Sequence, residues 1–473
     1  MFPHMKSTTK WYLIVLLILS ALTHFIFFGR PNEVVFDEVH FGNFSSAYDT
    51  GKYFFDIHPP LGKLLISVAG YLGGYEATTT NYATIGNKFT DPHYVWYRIL
   101  PMLAGWLFPL IIFLLCLRLR LSPLASFLAG LFIILENSLL IQSRFIFLDS
   151  FLLLFGFLAL LFYLYHRQVE SRPTTLFYLI LSAIFAALAF SIKWTGLSFL
   201  GLIFLIEIWD VVRFRSWPAL KEATAKIIAF LAIGFFIYLA VFAIHFALLP
   251  KSGPGDAFMT PAFQKTLAGS RYESDAKTKP ISLLPKFWEL NKEMYVANKT
   301  LTATHPYSSQ WYTWPFLVRP IYYWVQTAKT ASGMPLVESK IYLLGNPFIY
   351  WLSDLAVMFM LVYLILLFKN IKNLKNNYRL PVFLIIGYLA NWLPFIFIGR
   401  VMFLYHYLTA LVFAIITLAF VIDQIKVPKV KIAVGLLVVI IFSISFIFFS
   451  PLTYGLPMSV AEQNTHFWFN SWR

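Results

Sequence analysis

Apolar residues run along this chain in long blocks separated by short polar breaks, a pattern that matches neither the two-residue alternation of strands nor the amphipathic stripe of a soluble helix. Crossing about 30 Å of hydrocarbon takes about 20 apolar residues. Eleven blocks approach or reach that length: 11–28, 99–117, 123–141, 150–165, 176–190, 197–212, 227–249, 347–368, 381–398, 402–422 and 432–449. The first follows Lys6 and Lys10, as a secretory signal would, but it leads into Gly29-Arg30-Pro31-Asn32 with no small-x-small cleavage pattern, so it reads as an uncleaved helix. The pattern predicts an all-α polytopic membrane protein with about eleven transmembrane helices.

Composition fits a bilayer as solvent: 59% of residues are hydrophobic and 12% charged, with a mean hydropathy of +0.70. The net charge of +15 invites a nucleic-acid reading, but the excess sits in short loops, where positive-inside topology accounts for it. With the N-terminus cytoplasmic, the inside segments hold Lys6 and Lys10; Arg118 and Arg120; Arg167 and Arg172; Arg213, Arg215, Lys221 and Lys226; Lys369, Lys372, Lys375 and Arg379; Lys426, Lys429 and Lys431. The short outside turns hold only Arg144, Lys193 and Arg400, and an odd number of spans leaves the C-terminus outside. No nucleic-acid partner is expected. The single Cys116 lies in an apolar block, which excludes an intrachain disulfide and a zinc–thiolate site.

Two long outer segments, 29–98 and 250–345, complete a single transmembrane domain over 1–473. In the first, LGKLLISVAGY (61–71) is too short to span and reads as an interfacial helix. In the second, 251–279 is Gly/Ser/Thr/Lys-rich and reads as mobile, while Phe287, Leu290 and Met294 fall at helical spacing. The aromatic stretch HPYSSQWYTWPFLVRPIYYW (305–324) reads as headgroup-level structure.

The polar chemistry concentrates in FDEVHFGNFSSAYDTGKYFFDIHPPLGKLL (36–65), directly after the first span. Asp37 and Glu38 could simply solvate a loop. Yet Val34, Val35 and Phe36 make their surroundings apolar, and desolvation raises a carboxylate's proton affinity toward that of a general base. Asp56, His58 and Lys63 lie close by. Arg98, Arg144, Lys193 and Arg400 stand at the same face against the positive-inside bias. Singly, each reads as a helix-end cation snorkelling to headgroups; together they form a cationic pocket suited to a lipid phosphate. A sugar on a lipid phosphate has a leaving group that gains negative charge, which fixed Arg and Lys stabilise while a carboxylate takes the acceptor proton. One base and a cationic cradle suffice for an inverting single displacement; retention would need a nucleophile close to the sugar.

His58, His305 and His406 have no diagnostic metal spacing, so no metal and no cofactor are expected. Asn43-Phe44-Ser45 and Asn298-Lys299-Thr300 match glycosylation acceptors by chance-level patterns. No Walker or dinucleotide glycine motif occurs, which disfavours ATP-driven transport.

FDEVHFGNF with YFFDIHPPLGKLL closely resembles the first outer loop of the protein O-mannosyltransferase family. ENSLLIQSRFIFLDS, SIKWTG, HPYSSQWYTWPFLVRPIYYW, LLGNPFIYW and GYLANWLPFIFIGRVMFLYHYL resemble further family segments in family order. The resemblance implies a GT-C-type glycosyltransferase that moves mannose from a polyprenyl- or dolichyl-phosphate donor to Ser or Thr of a translocated polypeptide. It implies Asp37 as general base, with Glu38 positioning a substrate, and Arg98, Lys193 and Arg400 near the donor phosphate. Arg144 joins that donor set more loosely, and His58 and His305 fall to substrate positioning. Eukaryotic members carry a β-trefoil MIR domain that 250–345 is too short to hold. The chain therefore resembles the shorter prokaryotic form, at a plasma membrane, with membrane lipid and a translocon as further partners. A glycan or lipid acceptor on the same fold, or a secondary transporter, are the alternatives; the transporter would want ionisable residues at mid-span.

Overall fold

The computed structural model describes residues 7–329, 335–369 and 378–473. Lys6, Lys372 and Lys375 of the basic-loop count lie outside the described residues. Among the described residues, ten helices are long and apolar enough to cross a membrane, or eleven if the pair Pro123–Ile134 and Asn137–Arg144, bent by 57°, is one broken span. The predicted third block, 123–141, falls on that pair.

Local chemistry sets the helix boundaries. Ser122 opens Pro123–Ile134: its hydroxyl accepts from the Ala125 N–H at 3.3 Å, and Pro123 fills the first helical position, where a missing N–H costs nothing. Ser122 is itself fixed by Asp423, which also pairs with Lys431 at 2.9 Å. The span then breaks at Glu136, whose carboxylate accepts from the Ser138 N–H at 2.8 Å and so caps Asn137–Arg144. Pro428–Tyr454 stops at Gly455, in the left-handed region at φ 65°.

Packing is layered about two central spans. The apolar windows of Leu404–Asp423 and Asp149–Gln168 are 78% and 72% buried inside the protein, against 22% for Trp217–Leu248 and Ser7–Phe25. The outer helices leave apolar side chains such as Phe236, Ile228 and Leu22 uncovered by protein, as lipid contact requires.

The two long segments fold over one end of this bundle. The first forms helix Glu38–Thr50, ended by Gly51 at φ 73°, and helix Leu61–Leu72, which begins after Pro60. The second departs from expectation twice. Residues 251–279, read as mobile from composition, are tied down: the Lys251 carbonyl accepts from the Tyr53 N–H at 2.8 Å, and Gln264 donates to the carbonyls of Asp256 and Met259 at 2.9 and 2.8 Å. The aromatic stretch runs into a β-hairpin, β1 (Ile321–Lys329) and β2 (Pro335–Leu343), joined by β3 (Pro457–Met458) in the order β1-β2-β3. The expected all-α fold therefore carries a small sheet. Helix Leu283–Thr300 buries Phe287, Leu290 and Met294, as their spacing predicts.

Candidate active site

The site begins with a strained turn. Phe36 has φ 38°, a left-handed conformation that bulky residues avoid. It is held there by its N–H donating to the Tyr323 carbonyl at 3.1 Å and by its ring stacking on Tyr323 at 4.5 Å. The turn delivers Asp37 as the last residue before helix Glu38–Thr50, while the Val35 N–H donates to Glu38 Oε2 at 2.8 Å. Burial pushes the Asp37 carboxyl up to about 6; His40 and Lys193 pull it down, and Asp149 and Asp56 push it up. The Tyr405 hydroxyl faces this carboxyl.

Opposite Asp37, a hydrogen-bonded chain fixes Lys193. Helix Arg172–Ile192 ends at Lys193, which is extended (φ −146°, ψ 144°) and followed by the Trp194–Gly196 turn. Its Nζ donates to Asp149 Oδ1 at 2.7 Å; Asp149 Oδ2 accepts from Gln142 Nε2 at 2.7 Å; Gln142 Oε1 accepts from the Tyr323 hydroxyl at 2.8 Å. Lys193 Nζ also lies 5.2 Å from the centre of the Tyr405 ring.

A second ion pair borders the first. Buried Lys63 pairs with Asp56 and donates to the His58 carbonyl at 2.8 Å. The His58 ring stays neutral: burial first, then Lys193, Arg400, Lys63 and His406, hold it well below the usual histidine range. Arg400 follows the short helix Leu393–Phe397, and Tyr405 and Asp56 stabilise its charge against burial. His305 sits edge-on to Phe36 at 5.9 Å and to Phe403 at 5.1 Å, with burial lowering its proton affinity. Two ion pairs thus leave Asp37 and Arg400 as the site's charges in no salt bridge among the described residues.

The remaining sequence candidates are placed differently. Glu38 and Arg98 are fully buried against each other, with Nε to Oε1 and Nη2 to Oε2 both at 2.7 Å. Arg98 further donates to the carbonyls of Gly29 (3.2 Å), Pro31 (2.6 Å) and Glu33 (2.9 Å), so all five of its N–H groups are engaged and none remains for a phosphate. Glu38 accepts besides from the Ile146 N–H at 2.9 Å. Arg144 binds the carbonyls of His24, Ile26 and Phe27 at 2.7–2.9 Å, capping the first span's C-terminal end, and stacks on Tyr454 at 4.8 Å. Both arginines were read as phosphate ligands; desolvated donors aimed at backbone carbonyls make them braces instead. Sequence reading passed over Gln142, Tyr323 and Tyr405 as site residues, although each lies inside a quoted motif. No group of three His, Cys, Asp or Glu side chains that could hold a metal occurs among the described residues.

A bundle of this topology, with acid and cations gathered under two long segments at one end, has the GT-C fold. It superposes on the S. cerevisiae protein O-mannosyltransferase Pmt1–Pmt2 complex bound to the sugar donor with a TM-score of 0.90, at 20% identity, covering 99% of this chain and 93% of that one. Residues 14–250 match the family model "Dolichyl-phosphate-mannose-protein mannosyltransferase", and residues 283–472 match "C-terminal four TMM region of protein-O-mannosyltransferase". The chain belongs to the protein O-mannosyltransferase family. Among curated relatives, it is 34% identical over 275 residues to dolichyl-phosphate-mannose–protein mannosyltransferase 1 of Candida albicans, covering 56% of this chain and 31% of that protein. It is also 34% identical over 282 residues to protein O-mannosyltransferase 1 of Drosophila melanogaster, covering 57% and 31%. The matches thus span about a third of the length of these relatives.

Proposed function

We propose that this protein transfers mannose from a polyprenyl-phosphate donor of the dolichyl-phosphate type to Ser or Thr hydroxyls of translocating polypeptides. The observation that carries the reading is the residual pair: a half-buried carboxyl with raised proton affinity, Asp37, and a cation in no salt bridge among the described residues, Arg400, each within electrostatic reach of the Lys193–Asp149 or Lys63–Asp56 pair. Asp37 takes the proton from the acceptor hydroxyl; the oxygen attacks the anomeric carbon; the bond from that carbon to the phosphate oxygen breaks, and its electron pair leaves on the phosphate. Arg400 and Lys193 stabilise the phosphate charge as it grows, and the displacement inverts the anomeric centre. His58 and His305 hold substrate groups as neutral rings. Glu38, Arg98 and Arg144 act by positioning the turn and the first span's end.

The basic-loop asymmetry supports a cytoplasmic N-terminus and a site on the outer face; the short 250–345 segment is what favours the prokaryotic plasma membrane, where a translocon would supply unfolded acceptor. The reaction needs no cofactor beyond the lipid-linked donor. Purified protein in lipid, given labelled polyprenyl-phosphate mannose and a Ser/Thr peptide, should yield a labelled peptide whose sugar is released by alkaline β-elimination. Label appearing only on a glycan or lipid would reassign the acceptor.

A further inference from the structure

Helix Leu283–Thr300 lays one face against the span Trp217–Leu248 and against two segments of the site. Phe287, Asn291, Met294 and Asn298 recur at steps of four, three and four residues, so all four share that face. The Phe287 ring meets those of Tyr238 and Phe242 edge-on at 5.7 and 5.2 Å, while Leu290 and Met294 wall a small cavity together with Asp56, His58 and Lys63. Two amides in an otherwise apolar stripe need hydrogen-bond partners.

Both find them at the site. In each Asn, Nδ2 donates to the carbonyl four residues back, from Asn291 to Phe287 at 2.8 Å and from Asn298 to Met294 at 2.9 Å, which fixes the amide plane. The second Nδ2 hydrogen of Asn298 goes to the Ile57 carbonyl at 3.0 Å. Ile57 stands between Asp56, which pairs with Lys63, and His58, whose carbonyl also accepts from Lys63. Asn291 Oδ1 accepts from the Tyr238 hydroxyl at 2.6 Å, and the Tyr238 oxygen accepts from Trp194 Nε1 at 2.9 Å. Trp194 opens the turn that follows Lys193. One helix thus holds, two turns and about 10 Å apart, the segment that carries Asp56 and the turn that carries Lys193.

These two segments act on Asp37 in opposite senses: Asp56 raises its proton affinity and Lys193 lowers it. His40, Asp149, Tyr405 and Tyr323 also face Asp37, and none of them lies on the helix.

We propose that Asn298 and Asn291 are positioning residues for the mannosyl transfer proposed above, Asn298 setting the Asp56–His58 segment and Asn291, through Tyr238 and Trp194, setting Lys193. The role rests on that transfer reading and reaches the chemistry only through Asp56 and Lys193. It also gives Asn298, the first residue of the Asn298-Lys299-Thr300 pattern, a use that a glycan on its Nδ2 would remove.

The test is the pH profile of kcat/KM for the full chain in lipid nanodiscs, with polyprenyl-phosphate mannose and a Ser/Thr peptide, read beside the thermal midpoint. Asn298→Leu and Asn291→Leu should each lower kcat/KM about tenfold, as loss of one positioning hydrogen bond allows. The acid limb should move to lower pH in Asn298→Leu, where Asp56 is released, and to higher pH in Asn291→Leu, where Lys193 is. Tyr238→Phe removes the hydroxyl that joins Trp194 to Asn291, so it should match Asn291→Leu, and the two together should cost no more than either alone. It decides the Lys193 arm even where Asn291→Leu does not fold. Simple loosening of the helix would shift both limbs the same way or neither, and either result would overturn the role. Wild-type protein that makes no mannosylated product would overturn the transfer reading itself, a failure visible before any substitution.

Discussion

Arg98 holds Glu38 by two parallel 2.7 Å hydrogen bonds in which neither side chain is accessible to solvent. The pair links the second long span to the turn that presents Asp37, and the rings of Phe89, Tyr94 and Phe145 lie 5.0–5.3 Å from the guanidinium. Removing one partner strands the other charge. Arg98→Met should therefore destabilise the protein by about 3–5 kcal/mol, measured as loss of thermal midpoint and of folded yield. The double variant Arg98→Met with Glu38→Gln should recover part of that loss, because the uncompensated charge is gone. Arg98→Lys should not rescue, since an ammonium cannot make the forked contact.

The pH dependence follows from the Asp37 environment. Its raised carboxyl, at about 6 through burial, must be ionised to accept a proton, so kcat/KM should fall as pH drops through about 6. Lys193 lowers this proton affinity and Asp56 raises it. Lys193→Met should move the acid limb to higher pH, and Asp56→Asn to lower pH. Profiles of kcat/KM from pH 4.5 to 8 would register both shifts; a limb that stays fixed in both variants would remove Asp37 as its source.

Arg400 and Lys193 should behave differently although both are proposed to hold the donor phosphate. Arg400 is half-buried in a loop and in no salt bridge among the described residues, so Arg400→Gln should lower kcat/KM about 10²-fold while the thermal midpoint barely moves. Lys193→Met leaves buried Asp149 with Gln142 as its remaining hydrogen-bond donor, so it should lose both activity and stability.

Gly196 makes the turn after Lys193 possible. A Cβ there would lie 2.5–2.6 Å from backbone atoms of Ala189 and Phe190, which cannot rotate away as a side chain would. Gly196→Ala should lower the thermal midpoint and displace Lys193, cutting activity by more than the stability loss accounts for.

Much of this was legible in the sequence, for reasons that differ by element. Apolar block length sets the spans because the bilayer admits few alternatives. The turn at Asp37 was legible because its carboxylates sit among Val34, Val35 and Phe36. The division of labour among the cations was not. Arg98, Arg144, Lys193 and Arg400 look alike as basic residues at one face, and only the fold shows that Arg98 and Arg144 end on backbone carbonyls while Lys193 donates to the Asp149 carboxylate. The partner of Glu38 is 60 residues away and that of Lys193 is 44, separations that carry no local periodicity. The break at Glu136 was hidden inside one apolar block, and the hairpin was hidden by aromatic residues that suit a strand as well as an interface.

The central claim is that Asp37 removes the acceptor proton while Lys193 and Arg400 hold the donor. The most direct measurement pairs donor binding with transfer in Asp37→Asn, in lipid nanodiscs with polyprenyl-phosphate mannose and a Ser/Thr peptide. The account predicts unchanged donor affinity, an unaltered thermal midpoint within about 2 °C, and peptide mannosylation reduced at least about 10²-fold. Mannosylation at the wild-type rate in that variant would contradict it.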